Sequence, residues 1–143
     1  MSNPRPNLER LTQLRDHLAS LPPSRFDMSQ WFSSYRNVTL KEFAEDCGTC
    51  ACIGGWADTL FRSSENRLTD TSIHDPVDGT YALLGLTEEQ GEQLCFPSSA
   101  EGSGWPEGDD VTYRDVTTAD AVLTLTKLIE TGKVDWSHVY QQN

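Results

Sequence analysis

Five leucines near the start of the chain recur every three or four residues, and this spacing constrains the fold more than any other feature. Such spacing places all five on one face of an α-helix, where they can be buried together. Asn7 is a suitable N-cap and Pro22 with Pro23 stops a helix, so the segment from Asn7 to Leu21 is predicted to be helical. The leucines are Leu8, Leu11, Leu14, Leu18 and Leu21.

Further helices are predicted where the sequence carries capping residues. Thr39 with Glu42, and Thr87 with Gln90, match the capping box, in which two side chains satisfy backbone N–H groups at a helix start. The TTAD segment at Thr117 begins another helix, which a glycine ends. The predicted helices span about 39–48, 78–84, 87–96 and 117–132.

These elements predict an all-α fold, with residues 1–143 forming one compact domain of about five or six short helices. The ends, 1–6 and 139–143, are expected to be flexible. The aromatic-rich segment RFDMSQWF is predicted to close the core, on a short helix capped by Asp27 or Ser29. Residues 98–115 read as a long acidic loop, with a short hairpin across VTYRDV as an option, and Trp136 in the tail is expected to dock on the body.

The segment DCGTCACIGGWADTL, residues 46–60, is predicted to contain a helix that Thr49 caps and that runs to about Phe61. Gly54 and Gly55 lie inside this helix. A glycine in a helix interior costs about 1 kcal/mol relative to alanine, so two adjacent glycines need a reason. Either another backbone approaches closely here, or the space beside the helix holds a ligand, and the sequence leaves both open.

The cysteines of this segment allow three interpretations. Buried thiols that pack as small hydrophobic groups are the favoured one. A zinc-stabilised interaction module would use Cys47, Cys50 and Cys52 with Cys95 or His74, but the chain lacks the second closely spaced pair that such sites usually have. A small cysteine-dependent hydrolase would use Cys50, activated at a helix N-terminus, with His74 as its base. We predict no metal and no cofactor.

Acidic residues dominate most of the chain. Residues 1–46 contain six Lys or Arg and six Asp or Glu, whereas residues 47–143 contain five and sixteen, which accounts for the whole net charge of −11. A negative surface repels phosphate backbones, so direct nucleic-acid binding is disfavoured and a basic protein surface is a better partner. The predicted contact residues are Glu101, Glu107, Asp109, Asp110 and Asp115.

A second binding hypothesis is the capture of a small nucleotide-like molecule beside the glycine pair. Indole rings would stack on a flat base, and an arginine would contact a phosphate group; core packing is the alternative interpretation of the tryptophans. The candidate residues are Gly54, Gly55, Trp56, Trp31, Arg62 and Arg67.

The start of the chain, MSNPRPNLER, lacks the apolar stretch of a signal peptide, and no apolar run approaches the roughly 18 residues of a membrane span. We therefore predict a cytoplasmic protein without a membrane partner.

Four motifs follow one another over roughly residues 8–130: RFDMSQWF, CGTCACIGGWA, YALLGLTEEQGEQLCFP and TTADAVLTLTKLIE. Their order resembles that in small proteins of phages and their bacterial hosts, where FDM and a tryptophan precede a CGT-x-AC-x-x-G-[WH]-A core and a GL-[TS]-x-x-[EQ]-x-x-x-L-F-x-P segment follows. The resemblance implies a compact helical domain in the host cytoplasm and no particular reaction. We therefore expect a non-enzymatic accessory protein that acts by binding.

Overall fold

Six α-helices and several short 3-10 helices make up the described part of the computed structural model, which covers residues 6–33, 38–46, 48–62, 65, 79–105 and 112–142, with backbone alone for 140–142. No β-strand occurs in these ranges, and the predicted all-α class is confirmed. The α-helices are α1 (Leu8–Ser20), α2 (Leu40–Glu45), α3 (Ile53–Phe61), α4 (Thr80–Leu83), α5 (Glu88–Cys95) and α6 (Thr118–Thr131). The 3-10 helices are Pro23–Arg25, Pro97–Ser99, Tyr113–Asp115 and Ser137–Gln142.

Most helix starts lie where the capping residues predicted them. The Asn7 carboxamide oxygen accepts a hydrogen bond from the Arg10 backbone N–H at 3.1 Å. Reciprocal capping boxes are present at Thr39, Thr87 and Thr117, so each of these helices satisfies its first backbone donors locally. Gly132 ends α6 in a left-handed conformation, with φ of 77°.

Helix α3 lies at the centre of the packing. It contacts α1, α2, α4 and α5, while α1 and α6 pack along each other. All residues from Ile53 to Asp58 are buried. Three of the five leucines predicted to share a buried face, Leu11, Leu14 and Leu18, are fully buried in α1. The prediction is wrong for Leu8, which is 52% exposed at the first residue of the helix, and Leu21 is half-buried as the C-cap.

The start of α3 differs from the prediction. The helix begins at Ile53, with Cys52 as its N-cap, and not after Thr49. The preceding backbone groups bond to another segment: Ala51 pairs with Phe26 in an isolated parallel bridge, and the Cys52 N–H donates to the Gln30 carbonyl at 2.8 Å. Because the backbone N–H groups of residues 50–52 already donate to residues 25–33, they are not available for a helical turn.

Two further predictions of local structure are wrong. Residues 26–33 form turns and no helix, because their backbone bonds to residues 50–52; Asp27 instead accepts from the Ser29 N–H within a tight turn. The hairpin is absent from residues 112–116, where a 3-10 turn is held by hydrogen bonds from Thr112 to the Asp115 carboxylate. Asp78 and residues 106–111 of the acidic loop lie outside the described residues.

The tail docks on the body as predicted. Trp136 is fully buried, and its indole N–H donates to the Gln93 carbonyl at 3.0 Å. Val139 is buried too, at the start of the segment expected to be flexible. Within the described residues, none of the helices combines the length and apolarity that a bilayer crossing requires.

Candidate functional site

The space beside the glycine pair is occupied by Trp31. A Cβ atom at Gly54 would lie 2.0 Å from the ring carbon Cη2 of Trp31, and one at Gly55 would lie 1.8 Å from the Trp31 carbonyl oxygen. No side chain fits at these distances, so both positions require glycine. Of the two alternatives for the pair, close approach of another segment describes this structure.

Trp56 is a core residue. It is fully buried, and its indole N–H donates to the Arg25 carbonyl at 2.9 Å. The Arg25 guanidinium lies 5.0 Å from the ring centroid, and the rings of His17 and Phe43 lie 5.1 and 6.0 Å away. With these neighbours in place, the Trp56 ring presents no open face on which a base would stack.

The Asp58 carboxylate, in the middle of α3, joins this helix to the turn segment 26–33 and to α4. It is fully buried and accepts hydrogen bonds from the Trp31 indole N–H at 2.8 Å, the Thr80 hydroxyl at 2.6 Å and the Arg62 Nε at 2.8 Å. Burial raises the pKa of Asp58, and these donors and the Arg62 charge act against that rise. Asp58 is therefore a structural acceptor that fixes Trp31 in place.

The two arginines predicted to contact a phosphate are placed differently. The side chain of Arg62 is only 12% exposed and pairs with Asp58, so its charge is already committed within the fold. Arg67 lies outside the described residues. The structure thus brings Trp31, Gly54 and Arg62 together around Asp58, and among the described residues this group directs no free cation outward.

An exposed aromatic ring, that of Phe96, is stacked with Trp31. The Phe96 ring stacks on it with a centroid distance of 6.0 Å and an interplanar angle of 15°, and Phe96 is 38% exposed. Phe96 was not among the candidate site residues predicted from the sequence. The available indication was its position between the last residue of a helix and Pro97, where the chain must leave the helical path.

The described cysteines are mostly inaccessible. Burial raises the pKa of the Cys52 thiol to about 12 and also raises that of Cys95. Cys50 is half-buried and lies three residues before α3, so the predicted activation by a helix N-terminus is wrong. Cys47 and His74 lie outside the described residues, and within those residues no three His, Cys, Asp or Glu side chains are grouped to hold a metal ion.

His138, a buried histidine near the end of the chain, is held in place by contacts with neighbouring residues. Its Nε2 lies 3.1 Å from both the Thr124 hydroxyl and the Asp120 carbonyl, and its ring stacks on Trp136. These contacts join the tail to α6.

Acidic side chains are exposed on α5 and beyond it. Between Arg67 and Arg114 the sequence contains ten Asp or Glu and no Lys or Arg. Of the predicted contact residues, Glu101 and Asp115 are exposed, and Glu107, Asp109 and Asp110 lie outside the described residues. We call the exposed acids of this stretch the acidic surface; its described members are Glu88, Glu89, Glu92 and Glu101.

A groove of about 970 Å³ lies between α5 and the end of α6. Its charges are mixed, since Lys127 lies 3.6 Å from the Asp135 carboxylate and Lys133 and Glu89 line the same groove. Sequence analysis missed the groove because its walls come from three separate segments. They are Glu89, Gln90 and Gln93; Gly102 and Gly104; and Lys127 with residues 131–135.

Comparison with known proteins adds no assignment to this geometry. No family model matches the chain, and neither a curated protein nor a solved structure shows significant similarity to it.

Proposed function

We propose that this protein is a non-enzymatic accessory protein of phage or prophage type, which binds a basic surface of a host protein in the cytoplasm. The observation that carries the proposal is the acidic surface. Four exposed glutamates lie on α5 and the segment after it, within a stretch that contains no Lys or Arg. Such a field attracts a basic partner and speeds association, without requiring a reaction.

The non-enzymatic part of the proposal is supported by how the candidate reactive groups are used. Asp58 and His138 serve as hydrogen-bonding centres of the fold, and Cys52 and Cys95 are buried. A hydrolase that uses Cys50 with His74, or a zinc-stabilised module, is the alternative. Replacement of Cys50 by alanine tests the first of these, because it would abolish turnover by a cysteine enzyme and leave partner binding unchanged.

Salt dependence tests the binding proposal. A fluorescent lysine–glycine repeat peptide serves as the basic probe, titrated at low and moderate ionic strength. The variant with Glu88, Glu89 and Glu92 all changed to glutamine should lose most of the affinity and most of the salt dependence. Its matched control carries glutamine at three exposed acids elsewhere, Glu42, Glu45 and Glu130. Equal affinity in both variants, or no binding at low salt, would contradict the proposal.

The groove favours a second candidate function, the capture of a small phosphate-bearing or nucleotide-like molecule. Lys127 and Lys133 supply positive charge there, away from the glycine pair at which the sequence analysis expected such a ligand. The native mass of gently purified protein, compared with its denatured mass, tests this candidate. An excess of several hundred daltons that is lost on denaturation would support ligand capture over protein binding.

A further inference from the structure

Phe96 and Trp31 form a rigid aromatic pair with one ring exposed. Trp31 cannot shift toward α3, because its ring rests on Gly54, and its N–H is fixed by Asp58. Phe96 stacks on this ring, with a centroid distance of 6.0 Å. An aromatic ring that packs on a fixed ring loses little conformational freedom when a partner binds, which favours its use as an anchor.

Phe96 differs from the other large apolar side chains that are exposed among the described residues. Leu8, Leu60 and Leu123 are aliphatic, and Phe96 is the aromatic member of this group. An aromatic face carries a negative electrostatic potential and attracts cations, whereas a leucine does not. Two arginines of the described residues already lie over rings, Arg10 over Phe61 and Arg25 over Trp56, and neither covers Phe96.

The position of Phe96 in the chain adds a second attraction for cations. It is the C-cap of α5, and the C-terminal end of a helix carries partial negative charge. The last turn of α5 contains no basic residue, and Glu92, one turn earlier, is exposed. A cation near Phe96 would therefore be attracted by the ring face, by the helix end and by a carboxylate four residues earlier in the chain.

We propose that the stacked Phe96–Trp31 pair at the C-terminal end of α5 is the docking point for an arginine side chain of a basic partner protein. The proposal rests on the proposed function, since it names where the basic partner is anchored. Arginine fits better than lysine, because its planar guanidinium stacks on an aromatic face while its N–H groups still reach an acceptor such as Glu92.

The experiment compares two labelled peptides, an arginine–glycine repeat and the lysine–glycine repeat of equal length. The wild-type protein should bind the arginine peptide more tightly. Phe96→Ala should weaken arginine binding about three- to fivefold and lysine binding by a smaller factor, so that the preference for arginine is reduced. Phe96→Tyr keeps the aromatic face and should restore the preference, whereas Phe96→Leu keeps only apolar area and should not.

Leu123→Ala is the matched control, because Leu123 is 43% exposed on α6, and this variant should bind both peptides like the wild type. The indole Nε1–H resonance of Trp31 supplies a direct readout and should shift when the arginine peptide is added. If Phe96→Ala leaves the affinity for both peptides unchanged, while neutralising the α5 glutamates weakens it, the anchor is overturned and the proposed function stands. No binding of either peptide at low salt would overturn both.

Discussion

The indole N–H of Trp31 donates a 2.8 Å hydrogen bond to the carboxylate of Asp58, a residue 27 positions later in the chain. This bond joins the turn segment after α1 to the middle of α3. It also connects the buried centre of the protein to its surface, because the exposed Phe96 ring stacks with the Trp31 ring. Four predictions follow from this arrangement and from the packing around it.

Asp58→Asn is expected to destabilise the fold by about 3–5 kcal/mol. Asparagine keeps the shape but replaces one accepting oxygen by a donor, and the Arg62 charge is left buried without its partner. Urea denaturation followed by circular dichroism measures the change. Asp16→Asn is the control, since the Arg15–Asp16 ion pair is exposed and worth little; a loss there equal to that at Asp58 would contradict the role of burial.

Gly54→Ala is expected to destabilise the protein by about 1–3 kcal/mol, through overpacking against Trp31. This is the opposite of the usual effect, since alanine in a helix interior normally gains about 1 kcal/mol over glycine. The destabilisation is measured as the difference in the free energy of unfolding between the wild type and the variant, determined in denaturant. In a Trp31→Ala background the same change should cost much less, and an equal cost in both backgrounds would show that the ring is not what forbids the side chain.

The free energy of unfolding is expected to fall as the pH drops below 6.5, in part because of His17. Burial, with a contribution from the Arg25 charge, lowers the pKa of His17 below its ordinary value of 6.5. The unfolded chain therefore takes up this proton first, so the stabilisation present above pH 6.5 is lost as the pH falls toward the folded pKa. His17→Gln should flatten this part of the profile, and an unchanged profile would contradict the prediction.

Thiol labelling at pH 8 is expected to separate the described cysteines. Cys52 and Cys95 should resist a maleimide or iodoacetamide reagent in the native protein, because their thiols are buried and their pKa values are raised. Half-buried Cys50 should react faster. Peptide mass spectrometry gives the site of each adduct, and denatured protein serves as the positive control. Rapid native labelling of Cys52 or Cys95 would show that the core around them opens readily.

Residues close together in the sequence determined much of the architecture by themselves. The leucine spacing of α1 and the capping residues Asn7, Thr39, Thr87 and Thr117 predicted where helices begin, because each of these interactions is completed within three or four residues. The glycine pair was recognised as needing an explanation for a similarly local reason, the cost of glycine in a helix.

The tertiary structure decided everything that depends on distant partners. Helix α3 starts at Ile53 because the backbone of residues 50–52 bonds to residues 25–33, and Gly54 faces Trp31 because that same segment packs across it. The pairing of Phe96 with Trp31 likewise joins two rings that are 65 residues apart along the chain. Local spacing carries no information about such contacts, since they form only when separate elements pack together.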